Sequence, residues 1–198
     1  MKWLAITQRV DINPHYQERR DALDQRWGAL LFEAGFNMLL LPNMPQQALA
    51  LLCALPVQGI ILSGGNTLQA LGGDAPERDQ TERAVFHYAL QHQLPVLGVC
   101  RGMQFIQDYF GQVLQPLSGH ICAEQQIITD EGSRTVNSYH QFGTTECPPP
   151  LIASAHSSDG VIKAVHHQSL PVQGIMWHPE RIPGFSISDI NLLKRFFS

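Results

Sequence analysis

Apolar positions along this chain follow two rhythms. Trp3 to Thr7, Phe36 to Leu41, Gly59 to Ser63 and Leu94 to Leu97 are short, uncharged runs, the signature of strands buried on both faces. Between them the apolar residues recur at helical spacing. Leu23, Trp27, Leu30, Leu31 and Ala34 predict a helix from about Tyr16 to Ala34, closed by Gly35 as C-cap. Gln46 to Leu55 predicts a short helix whose leucines place Cys53 in the core. Arg78 to Glu82 opens a third, with Asp79 as N-cap and Glu82 completing a capping box. Ala84, Val85, Tyr88, Ala89 and His92 supply its buried face. Strands alternating with helices need crossover connections, which make a parallel sheet.

After Phe110-Gly111 the rhythm changes. Ile127-Ile128, Thr135-Val136, Ile152-Ala153 and Val161 to Val165 are short strands separated by turn residues, which predict an antiparallel extension. Val172 to Trp177 is a further strand, and Ser188-Asp189 begins a last helix with Leu192, Leu193, Phe196 and Phe197 on its apolar face. The expected class is α/β in three layers: a mostly parallel central sheet flanked by helices, with an antiparallel extension. A chain of 198 residues fits one domain, 1–198, with a substantial core.

Composition narrows the function. No charged residue occurs from Ala34 to Gly73, but Pro42, Pro45 and Pro56 cut that stretch well below the roughly 20 apolar residues that span a bilayer. A membrane partner is therefore not expected. Neither is nucleic acid, because the net charge is −4 and no Lys/Arg run overturns it. Cys53, Cys100, Cys122 and Cys147 form no Cys-x-x-Cys, and Met1-Lys2-Trp3 leads straight into a strand, so a reducing, cytoplasmic setting is expected. His120-Ile121-Cys122 and His166-His167 match no zinc framework, and no metal or cofactor is expected.

Chemistry concentrates where Leu94 to Leu97 meets the next helix, at Gly98-Val99-Cys100-Arg101-Gly102-Met103-Gln104. Glycines flank a cysteine in a sharp strand-to-helix elbow. There the helix N-terminus favours a thiolate, and nearby N–H groups face any oxyanion formed by attack on a carbonyl. Far along the chain, a strand ends in His178-Pro179-Glu180. Residues two apart on extended backbone point the same way, so Glu180 can hold an imidazole that faces Cys100. A third motif, Ser63-Gly64-Gly65-Asn66, ends another strand and lacks the Gly-Lys-[Ser/Thr] of a nucleotide P-loop.

Gly-x-Cys-x-Gly-x-Gln together with His-Pro-Glu resembles the class I glutamine amidotransferase superfamily, and within it the γ-glutamyl hydrolase branch. The resemblance covers nearly the whole chain. It implies a flavodoxin-like amidotransferase fold and a Cys100–His178–Glu180 triad cleaving γ-glutamyl amides through a γ-glutamyl thioester. It also implies an oxyanion hole from Gly64 or Gly65 together with Arg101, and contacts to the glutamyl unit from Gln104, Ser138, Tyr139 and His140. Ile6-Thr7-Gln8-Arg9, Tyr16-x-Glu18-Arg19 and Tyr139-His140-x-Phe142 further resemble the hydrolases of γ-glutamyl-CDP-amidate in capsule phosphoramidate synthesis. For such a leaving group Arg9 is the first candidate phosphate contact and Arg19 the second, the competing view of Arg19-Arg20 being a solvated surface pair. The expected partner is a small γ-glutamyl substrate, with room for a homodimer. The alternatives are a hydrolase of γ-glutamyl-γ-aminobutyrate and a glutaminase subunit feeding ammonia to a separate synthase. A chaperone on a similar elbow ranks last, since it has no need of His178-Pro179-Glu180.

Overall fold

The computed structural model describes residues 1–198. In the first half of the chain, β1 (Lys2–Thr7) is followed by a ribbon, β2 (Arg9–Asn13) and β3 (Glu18–Ala22), and then by α1 (Arg26–Glu33). β4 (Phe36–Leu41), α2 (Pro45–Ala54), β5 (Val57–Leu62), α3 (Pro76–Gln91), β6 (Val96–Val99) and α4 (Arg101–Tyr109) follow in alternation. The second half holds β7 (Gln115–Pro116), β8 (Ile121–Thr129), β9 (Gly132–Tyr139) and β10 (Phe142–Gly143). It closes with β11 (Leu151–Ser157), β12 (Ile162–His167), β13 (Val172–Ile175) and α5 (Ile187–Phe196).

One sheet runs β4-β1-β5-β6-β13-β12-β11-β8-β9. β4, β1, β5, β6 and β13 are mutually parallel, and the remaining strands add antiparallel, as the pattern predicts. Successive side chains on a strand take opposite faces. Ala5, Ile60, Leu62 and Val96 therefore enter one apolar layer with Val85, Phe86, Phe105 and Ile106 of α3 and α4. Leu4, Ile6, Ile61, Leu97 and Val99 enter the other, against Trp27, Leu30 and Leu31 of α1 and Leu193 of α5. The charge-free stretch from Ala34 to Gly73 holds β4, α2, β5 and the loop after it, with α2 buried only on the side that meets the sheet, and no helix is long and apolar enough to cross a membrane.

Four local expectations are corrected. The helix predicted from Tyr16 begins at Arg26, because 9–22 folds as the β2–β3 hairpin in register Arg9↔Ala22 to Asn13↔Glu18. Only Val10 of that ribbon is buried, so no apolar alternation marks it. Cys53 is exposed: Ala48 and Leu52 make the buried face of α2, and one further residue turns about 100° away from it. Asp79 is not an N-cap, since Pro76 at the first helical position starts α3 after Ala75. Asp79 and Glu82 thus fall inside the helix, with Glu82 fully buried, while His92 at its far end is exposed.

Candidate active site

Cys100 follows β6 and caps α4 with φ +53°, a conformation rarely adopted by residues with a side chain. The surroundings over-determine it: its N–H donates to Ile175 O at 2.8 Å and its carbonyl accepts from Gln104 N at 3.0 Å. The helix also presses on the sheet. A Cβ at Gly102 would stand 2.0 Å from Leu62 O, and one at Gly98 would stand 2.5 Å from the Gly102 carbonyl carbon. Only glycine permits that approach, and it is the approach that sets Cys100 at the tip.

His178 follows β13 on extended backbone and is buried. Asn137 of β9 clamps it twice, accepting from His178 N and donating to His178 O, both at 2.8 Å. The ring turns its Cε1 edge to Gly64, where a Cβ would come within 2.6 Å of Cε1. Nδ1 is 2.7 Å from Glu180 Oε1. Burial pulls the imidazole pKa down, but the neighbouring Cys100 and Glu180 outweigh it and push it up to about 9. Cys100, His178 and Glu180 are thus brought together, at the carboxyl ends of parallel strands.

Ser63-Gly64-Gly65-Asn66 faces the elbow from β5, and a buried charge cluster holds both. Glu82 accepts from Thr7 Oγ1 at 2.8 Å, from Arg78 Nε at 3.0 Å and from Arg101 Nη1. Arg78 in turn donates to Ser63 O at 2.7 Å and to Gly65 O. Arg101 also pairs with Asp79, so two guanidiniums meet two carboxylates. Burial raises the Glu82 pKa, yet Arg101, Arg78 and Thr7 bring it below the usual value. Burial, then Arg101, lower Arg78 to about 10. The backbone N–H groups of Gly65 and Arg101 do not donate to any loop, turn or cap carbonyl.

A cavity of about 190 Å³ joins these parts, lined among others by Gly65, Cys100, Gln104, Tyr139, His178 and Arg181. Gln104 Nε2 donates to Phe142 O at 2.9 Å, bracing the 139–142 segment against α4. Tyr139 and His140 line the cavity, but the Ser138 hydroxyl turns away from it, donating to His120 O at 2.8 Å. Arg9 stands across Gly65 in an adjoining cavity of about 260 Å³, paired with Asp11 at 2.6 Å. Arg19 is taken by Glu77 at 2.5 Å and Asp74 O at 2.9 Å. A larger space of about 480 Å³ lies against Trp177 and α5; it holds no cysteine, so size does not locate the chemistry.

Sequence reasoning missed Arg78, Glu82, Asn137, Lys163 and Arg181. Signals existed for two. Glu82 keeps helical spacing with the buried Val85, Phe86 and Ala89, so it marks a carboxylate on the core side of α3. Lys163 interrupts the apolar run Val161 to Val165, and a lone charge inside such a strand must have partners.

The pattern of the family described as glutamine amidotransferase class-I matches residues 29–197. A gamma-glutamyl-CDP-amidate hydrolase of Campylobacter jejuni is 32% identical over 99% of this chain and 98% of its own length. The glutamine-hydrolyzing GMP synthase subunit of Methanothrix thermoacetophila is 33% identical over 63% of this chain and 71% of its own. Among solved structures, a protein assigned as a GMP synthase subunit from Thermoplasma acidophilum superposes with TM-score 0.74 over 100% of this chain and 92% of that one. Their identity is 19%, so this last likeness speaks for the fold alone. Family match, fold and full-length relative agree, and the chain belongs to the class-I glutamine amidotransferase family as an amidotransferase-like hydrolase.

Proposed function

We propose that this protein is a free-standing cysteine hydrolase that cleaves γ-glutamyl-CDP-amidate through a γ-glutamyl thioester. The observation that carries the reading is the positive-φ Cys100 at the start of α4, sharing one cavity with an imidazole that Glu180 holds at 2.7 Å. Cys100 sulfur attacks the δ-carbonyl carbon, and the oxyanion is met by N–H groups of Gly64 or Gly65 and Arg101. As the C–N bond breaks, His178 gives its proton to the departing nitrogen. Water then adds to the thioester, losing a proton to His178, and the C–S bond breaks to release glutamate and free Cys100. Gln104, Ser138, Tyr139 and His140 hold the glutamyl unit, Ser138 through the backbone because its hydroxyl is engaged. The full-length likeness to the Campylobacter hydrolase supports the phosphoramidate leaving group.

A second reading, a glutaminase subunit serving a separate synthase, draws on the partial likeness to the glutamine-hydrolyzing subunit of GMP synthase. One experiment separates them: kcat/KM of the pure protein for γ-glutamyl-CDP-amidate, γ-glutamyl-γ-aminobutyrate and glutamine. A hydrolase works alone and prefers the nucleotide, with an acid-quenched glutamyl adduct on the Cys100 peptide. Silence on all three substrates, relieved only by a synthase, would sink the reading.

A further inference from the structure

Two guanidiniums line the cavity that holds Cys100, those of Arg101 and Arg181. Arg101 is buried and consumed by Asp79 and Glu82. Arg181 is different. Its nearest carboxylate oxygen, Glu180 Oε1 at 3.6 Å from Nε, already accepts from His178 at 2.7 Å. No ion pair engages its terminal nitrogens, while the side chain remains about a third exposed. It also lines the adjoining cavity, where the other guanidinium, Arg9, is paired with Asp11. Arg181 is therefore the one guanidinium common to both spaces, and its fork is free.

Its placement is tied to the chemistry. The Arg181 N–H donates to His178 O at 3.2 Å, so the side chain leaves the backbone beside the imidazole. A general acid must reach the departing nitrogen, and a phosphorus on that nitrogen stands one bond further out. The Arg181 guanidinium carbon sits 5.2 Å from the centroid of the Tyr139 ring, a stacking contact that limits how the fork can turn. Tyr139 faces Ile121 across the β8–β9 ribbon, and both remain substantially exposed at the rim of the cavity. An apolar platform beside a free planar cation suits a flat ring carried on phosphate.

We propose that Arg181 binds the phosphate attached to the scissile nitrogen, with Ile121 and the ring of Tyr139, whose backbone is left to the glutamyl unit, as the platform for the remainder of a nucleoside diphosphate leaving group. This rests on the phosphoramidate reading above and moves its phosphate contact from Arg9 to Arg181.

The test uses the full chain as wild type, Arg181→Ala, Arg181→Lys and Arg9→Ala. The readout is the ratio of kcat/KM for γ-glutamyl-CDP-amidate to that for γ-glutamyl-γ-aminobutyrate, with cytidine diphosphate as a competitive inhibitor. Arg181→Ala should lower that ratio about 10- to 100-fold and weaken the inhibitor alike, the scale of a lost charged hydrogen bond. Arg181→Lys, which keeps the charge without the fork, should fall between. An unchanged ratio in Arg181→Ala, or a larger loss in Arg9→Ala, overturns the assignment. So does an equal loss on both substrates with a shifted pH profile, which would mean that Arg181 acts through Glu180. Absence of any wild-type preference for the nucleotide would instead overturn the phosphoramidate reading, and this inference with it.

Discussion

Lys163 Nζ lies 2.6 Å from His140 Nε2. The same buried ammonium reaches His120 Nδ1 at 2.9 Å and Ser138 Oγ at 3.2 Å, so its three protons have three acceptors. An ammonium only donates, so both imidazoles accept from it. His140 Nδ1 then donates to Phe142 O at 2.9 Å, and His120 Nε2 to Asp159 at 3.1 Å. Burial, then Lys163, push His140 down to about 3, and burial pushes Lys163 down to about 8. The segment proposed to hold the glutamyl unit thus rests on one charge. Lys163→Met should raise KM for γ-glutamyl substrates about tenfold while kcat changes less. In wild type KM should climb above about pH 8, as the amine loses a donor, and this rise should vanish in the variant. A flat wild-type KM across that range would remove Lys163 from the site.

Glu82 is the common anchor of the Ser63–Asn66 loop and the first residue of α4. Glu82→Gln leaves Arg78 and Arg101 buried with only Asp79 between them. Breaking one side of a buried ion cluster costs about 3–5 kcal/mol, because the remaining charge has no compensation. Urea unfolding should show that loss, and kcat should fall with it as both segments loosen. A stability change under about 1 kcal/mol would mean that water reaches the cluster.

Gly64→Ala probes the seat of the imidazole. The new methyl would stand 2.6 Å from His178 Cε1, so the ring must move off Gly64. A displacement near 1 Å at a reacting group costs roughly 10²-fold in rate. The melting temperature should move little, since the loop backbone at Gly64 has no positive φ to lose. Full activity in Gly64→Ala would show that the imidazole has slack.

Cys100 is 7% exposed and Cys53 is open to solvent, yet iodoacetamide should reach Cys100 first because the His178 imidazole shares its cavity. Mass mapping of the wild type should show that order, and His178→Gln should reverse it. The same imidazole shapes stability. Its folded pKa, about 9, stands above the ordinary 6.5, so its contribution is fully present below pH 6.5 and is lost as pH rises through 9. Lys163, lowered to about 8, gives the opposite slope above that pH. Subtracting the His178→Gln curve from wild type isolates the first contribution; a zero difference between about pH 6 and 9 would contradict it.

The parallel half of the fold was legible because strands covered on both faces carry no charge, leaving runs such as Gly59 to Ser63 unmistakable. The 9–22 hairpin was hidden for the converse reason. It packs on little, so Arg9, Asp11, Glu18, Arg19, Arg20 and Asp21 crowd a ribbon with no apolar alternation, and the helical spacing from Leu23 onward reads backward into it. Asp79 and Glu82 carry the spacing of a cap, and only Pro76 reveals that the helix starts earlier. At the site, the elbow and His178-Pro179-Glu180 are visible because each is a local motif. Asn137, Lys163 and Arg181 act across strands from β8 to β13, through contacts that no linear spacing encodes.

The elbow at Cys100 also has a consequence in time. Its strained φ is held by a bond to Ile175, and the base proposed for it is His178, both near the far end of the chain. A ribosome exposes Cys100 well before it has made either. Through that interval the thiol is an ordinary one, with no imidazole beside it and no strand to fix its backbone. On the proposed triad, Cys100 gains its partners only when β13 docks, so the rate at which Cys100 takes a label should report on completion of the fold as well as on chemistry.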